Sequence, residues 1–205
     1  MTISSAFRDP VLRSPAFMKL AANGGTNGIS VGADYVLVGW LALQVAESTT
    51  WVGGGFALYH VPGLLLGMPA GSLADRVNRH RLVRGLELVG VLILITFAML
   101  LAAGHWNIAV VYGLTVALGS LRAIHHPTRL AYTYDIAGPK RVIPAISALN
   151  FSSHLGYIVG AAASGLIAER FGVHHALLAM ALAHLIAWSC LSGASPPVAA
   201  VHDPS

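Results

Sequence analysis

Six long apolar runs decide what this chain can become. They are Phe17–Ala46, Trp51–Ala74, Leu82–Ala103, Ile108–His126, Pro144–Ala168 and Val173–Ser192. About 20 mostly apolar residues in an α-helix cross a bilayer core of ~30 Å, and each run meets that length. The connections are short, so consecutive helices are antiparallel neighbours. A closed barrel is the other way to span a bilayer. Its strands would alternate polar and apolar residues, and Val89–Leu101 does not alternate. The expected fold is therefore an all-α membrane protein of six transmembrane helices, with the lipid bilayer as its first partner.

Composition agrees. Charged residues are 10% of the chain, residues of the AVILMFWYC set are 56%, and mean hydropathy is +0.70. Soluble domains carry about 25% charged residues. So little charge cannot cover a water-exposed surface, which argues against a soluble enzyme, a disordered chain or a nucleic-acid binder. The single cysteine, Cys190, allows no internal disulfide. Residues 1–16 read as a polar cytoplasmic segment rather than a secretory signal, because the apolar run that follows is too long and has no obvious cleavage site. The transmembrane domain is 17–194. The Pro-bearing end, 195–205, reads as a disordered tail or a severed linker.

The basic residues set the orientation. Arg8, Arg13 and Lys19 precede the first helix. Arg76, Arg79, Arg81 and Arg84 mark the second connection, and Arg122, Arg129, Lys140 and Arg141 the fourth. Only Arg170 falls on the other side. Both termini are expected in the cytoplasm of an inner (plasma) membrane, and the pI of 9.6 is then an address in the membrane and not an affinity for nucleic acid. Trp40, Trp51, Trp106 and Trp188 read as interfacial anchors.

Two segments match at an offset of 94 residues: Gly71-Ser-Leu-Ala-Asp-Arg-Val-Asn-Arg-His80 and Gly165-Leu-Ile-Ala-Glu-Arg-Phe-Gly-Val-His174. The same offset pairs His60 with His154. Three helices separate the copies, so they lie at opposite faces. That is a 3+3 inverted-topology repeat, a pattern of secondary transporters.

The first copy, from Gly71 through Asp75, Arg76, Asn78 and Arg79 to Arg81, resembles the signature loop between the second and third helices of major facilitator superfamily transporters. Asn78 stands where Gly or Asp is usual, and Asn tolerates a left-handed turn. His126-Pro127-Thr128-Arg129, Ala145–Asn150, Gly160, Gly165 and Phe171-Gly172 resemble the drug- and siderophore-exporter branch. Ala161 replaces the usual proline. The resemblance covers nearly the whole chain but only the N-terminal six-helix half of a twelve-helix fold. It implies a gating role for Gly71, Asp75, Arg76, Arg79 and Arg81, a cavity lined by the first and fourth helices, and a seam with the other half along the second and fifth.

Polar stripes on membrane helices must face protein or water. Asn23, Asn27, Ser30 and Asp34 share one face of the first helix, and Tyr112, Thr115, Gly119, Arg122 and His126 one face of the fourth. Small residues on these faces also suit close packing. Asp34 lies fifteen residues past Lys19, ~22 Å along a helix, and is a candidate proton or cation-substrate site, or a structural partner for a neighbouring helix. Arg122 lies five residues before Pro127, ~8 Å from the expected helix end. It either snorkels or partners Asp75 or an anionic substrate group. Glu87 is placed to pair with the Arg76–Arg84 cluster. His60 and His154 each precede a repeat glycine by eleven residues, or ~16 Å, which puts both near the midplane, where they could relay protons or simply bond a neighbouring helix. His184 reads as a histidine bonded across helices. His125-His126 and His174-His175 are poor chelates, because adjacent histidines diverge.

The function expected is one half of a secondary transporter, exporting an amphipathic small molecule by alternating access coupled to protons, with Asp34, His60 and His154 protonatable, and Asn27, Arg122 and Tyr112 beside them. It is not an enzyme and needs no cofactor or metal. A second six-helix half or a homodimer would complete it. The alternatives are a non-transporting remnant, or a haem- or metal-binding membrane oxidoreductase resting on His60 and His154.

Overall fold

The computed structural model describes residues 10–46 and 48–193. Arg8 and the tail 195–205 lie outside them. Six helices follow: α1 (Pro15–Ala46), α2 (Thr49–Arg76), α3 (Arg79–Ala102), α4 (Ile108–Ala137), α5 (Val142–Phe171) and α6 (Val173–Cys190). All six are long and apolar enough to cross a membrane, and no strand occurs among the described residues.

Each boundary has a local cause. Ser48, Asn78 and Asn107 cap α2, α3 and α4 by accepting from the amides of Thr50, Arg81 and Val110 at 3.3, 3.0 and 3.0 Å. Asn78 thus acts as an extended N-cap at φ −64° and not as a left-handed turn residue. Left-handed glycines end two helices. Gly138 (φ 70°) gives its amide to Tyr134, and Gly172 (φ 90°) gives its own to Ala168. Gly172 alone joins α5 to α6.

The main departure from sequence expectation is α4. The pattern stops it at His126, but the helix runs on through Pro127 to Ala137. An interior proline loses one hydrogen bond and costs about 3 kcal/mol. Burial of Thr128, Arg129, Tyr132, Thr133 and Ala137 beyond it offsets that cost.

Packing follows the glycines. α1 lies against α5 with backbone on backbone. A Cβ on Gly28 or Gly32 would strike the carbonyls of Ser153 or Tyr157, and one on Gly156 or Gly160 those of Gly25 or Ile29. Gly119 of α4 meets the Tyr59 carbonyl of α2 in the same manner. So α1 pairs with α5 as α4 pairs with α2, and α6 backs α1 as α3 backs α4. This is the pairing a 3+3 inverted repeat generates. The apolar core lies among α1, α3, α4 and α6 and includes Leu37, Leu41, Leu94, Leu114, Leu118 and Leu177. Trp40 packs against this core, while Trp188 lies under the Arg84 guanidinium at 4.7 Å. α2 and α5 are the least buried spans, with Leu64, Leu65 and Met68 on one and Ile143, Phe151 and Ile158 on the other largely exposed.

Candidate transport cavity and its buried polar network

A cavity of about 540 Å³ opens between α1, α2, α4 and α5. Its walls carry Val31, Tyr35, Tyr59 and Tyr157, and its polar lining includes Asn27, Arg122, His126, His60 and His154. The two repeat-related histidines therefore reach one space from opposite sides. Both are exposed in it, and His154 keeps its Nδ1 2.7 Å from the Asn150 carbonyl of its own helix. The polar stripe of α1 is buried in full, since Asn23, Asn27, Ser30 and Asp34 are each at most 1% exposed.

Asp34 sits behind the cavity floor. Its Oδ2 accepts from Arg122 Nε and from the Tyr59 hydroxyl, both at 3.0 Å, and Arg122 Nη2 stands 3.0 Å from the same oxygen. Arg122 Nη1 donates to Asn27 Oδ1 at 3.1 Å. Arg122 therefore neither snorkels nor partners Asp75. Its helix continues to Ala137, fifteen residues or ~22 Å further, so it sits deep and turns inward.

Glu87 also departs from expectation. It does not join the arginine cluster near it in sequence. It is fully buried, and its carboxylate is held by Asn23 Nδ2 at 2.9 Å, Asn27 Nδ2 at 3.2 Å, His125 Nε2 at 2.9 Å and His184 Nδ1 at 2.6 Å. His184 is indeed bonded across helices. His125 lies in mid-helix, lines the cavity and reaches back to Glu87. Arg129, expected as a surface charge, is 7% exposed and donates to Asn27 Oδ1 at 3.3 Å. Asn27 thus joins the two carboxylate sites: its amide hydrogens face Glu87, and its oxygen faces two guanidinium groups.

Tyr112 stands apart from the cavity lining. Its hydroxyl donates to the Trp51 carbonyl at 3.0 Å and fastens α4 to the start of α2. Thr115 bonds its own helix at Val111. The expected gating loop is mostly helix. Gly71, Asp75 and Arg76 lie in the last turns of α2, Arg79 and Arg81 in the first turn of α3, and only Val77 and Asn78 connect them. Arg79 donates to Asp75 at 2.7 Å and to Asp135 of α4 at 2.5 Å, so one guanidinium ties three helices at this end. Asp135 carried no signal in the sequence pattern, because α4 was not expected to extend that far. Among the described residues no group of three or more His, Cys, Asp and Glu is placed to hold a metal.

The sequence model of the Major Facilitator Superfamily matches residues 20–204. This chain belongs to the major facilitator superfamily. A search of curated proteins returned no match. As a major facilitator transporter, and so a multi-pass membrane protein, the chain has six helices, four of which line a cavity that carries Arg122 and Arg129.

Proposed function

We propose that the chain is one half of a proton-coupled secondary transporter that exports an amphipathic small molecule by alternating access. The observation that carries this proposal is the cavity: tyrosine and valine walls over a floor where Arg122 is shared between Asp34 and Asn27. Apolar walls with a few convergent polar groups suit a ligand with one greasy and one polar part. The Asp34–Arg122 pair is the element a charged substrate group competes for. The exposed apolar faces of α2 and α5 flank the cavity, and a second six-helix half, or a second copy of this chain, covers them. The Arg79 tie between α2, α3 and α4 holds one access state. Export, like the inner-membrane location with both ends of the chain in the cytoplasm, rests on the family resemblance and the distribution of basic residues.

The test is efflux of a lipophilic fluorescent dye from cells or inverted vesicles bearing an imposed pH gradient. The chain is expressed alone and with a six-helix partner supplied in trans. Efflux that follows the gradient and is lost in Asp34→Asn is expected. Gradient-dependent efflux retained in Asp34→Asn overturns the role given to this pair.

A further inference from the structure

We propose that Glu87, clamped between His125 and His184, is the proton-binding site of the transporter, loaded from the cavity through the His125 ring. The two buried carboxylates have different partners. Asp34 is matched by Arg122, a group that does not give up its proton. Among the described residues Glu87 touches no Arg or Lys. Its ionisable contacts are two imidazoles, at 2.9 and 2.6 Å, and imidazole is the side chain that exchanges protons near neutrality. An ionisable group inside a membrane span is costly to keep.

The route is set by position. Glu87 and His184 are fully buried, whereas His125 also lines the cavity. A proton from cavity water binds Nδ1 of His125. The Nε2 hydrogen passes to Oε1 of Glu87, and the imidazole is left neutral with its hydrogen on Nδ1. The cluster gains one positive charge and the water loses one proton. The charged groups that face this cluster are Arg122 and Arg129 of α4 and Asp34 of α1, all met through Asn27 or Arg122. α6 contributes His184 and α1 the uncharged Asn23 and Asn27.

Asn27 carries the event to the substrate floor. Its orientation is fixed, because reversing the amide would set its hydrogens against two guanidinium groups. Bonds to an ionised acceptor are about twice as strong as neutral ones. Protonating Glu87 therefore loosens the hold on Asn27 Nδ2, and with it the Oδ1 contacts to Arg122 and Arg129.

The proposal rests on proton coupling, so its test reads proton binding without transport. Infrared difference spectra of the purified chain in bilayers, taken between about pH 8 and 5, follow the carbonyl stretch of a protonated carboxylic acid. An acid band that appears on lowering pH, vanishes in Glu87→Gln and persists in Asp34→Asn is expected. Should Glu87→Gln fail to fold, Glu87→Asp keeps a carboxylate one methylene shorter, and its band must move in frequency or midpoint. A band unchanged in either Glu87 variant, or lost only in Asp34→Asn, overturns the assignment. A Glu87 band together with gradient-independent efflux from the paired halves upholds the site and sinks the coupling instead.

Discussion

Replacing Asp34 by Asn removes the counter-charge of a buried arginine. Three contacts are affected: Arg122 Nε, Arg122 Nη2 and the Tyr59 hydroxyl all meet Oδ2 near 3.0 Å. An Asn oxygen can still accept, so what is lost is mainly the charge. Arg122 keeps its bond to Asn27 Oδ1 but is left as an uncompensated cation, its side chain 13% exposed. Breaking a buried pair by removing one partner costs about 3–5 kcal/mol. The partial opening of Arg122 to the cavity places this case at the low end, about 3 kcal/mol. For a chain of this size that lowers the thermal midpoint by roughly 6–12 °C. The sharper test is the double variant Asp34→Asn/Arg122→Gln. It removes both charges together and should recover most of the loss, since a neutral pair of similar shape is often no worse than the ion pair. Thermal unfolding of purified protein in one detergent, followed by tryptophan fluorescence, measures the parent and both variants. A single variant as stable as the parent, or a double variant less stable than the single, refutes the claim that charge balance holds this site together.

Gly160→Ala drives a methyl group into the Ile29 carbonyl. It should cost about 1–3 kcal/mol by overpacking, visible as reduced monodisperse protein in size exclusion, whereas Gly85→Ala, with no atom within 4 Å, leaves the yield unchanged or higher. Arg79→Ala removes contacts to Asp75 and Asp135, whose side chains are 71% and 34% exposed. Because exposed pairs are worth about 0–1 kcal/mol each, the thermal midpoint should hardly move, while alkylation of a Ser72→Cys probe at the end of α2 should speed up as that end opens. A large drop in stability with unchanged labelling would make Arg79 a structural strut and not a gate.

The helices and their polar faces were legible in the sequence, because both depend on spacing along one chain. Asn23, Asn27, Ser30 and Asp34 recur at helical intervals, and all four are buried. Partnership was less legible. Glu87 bonds residues 38, 60, 64 and 97 positions away, while the arginines that looked like its neighbours are near only along the chain. One signal did point inward. Val83, Glu87, Gly90, Leu94, Ala98 and Leu101 form one buried stripe on α3, so the acid lies on the protein-facing side and away from lipid. Arg122 and Arg129 were misplaced, and Asp135 was missed, for a single reason, since Pro127 was taken to end a helix that tertiary burial carries onward.

The stripe on α1 also bears on how the chain is made. Asp34 meets Arg122, which lies 88 residues later in the sequence. At translation speeds of about 5–20 residues per second, that partner follows after roughly 4–18 s. Asn23 and Ser30 wait longer still, since the carbonyls they bond are 164 and 150 residues downstream on α6. During that interval the α1 stripe has only the Tyr59 hydroxyl of α2 and Glu87 of α3 as polar partners from later helices. The nascent first span therefore holds Asp34 without its arginine until the fourth helix is made, and Asn23 and Ser30 without their carbonyl partners until the sixth. The polar stripe of the opening span is thus satisfied in full only when the closing helix docks.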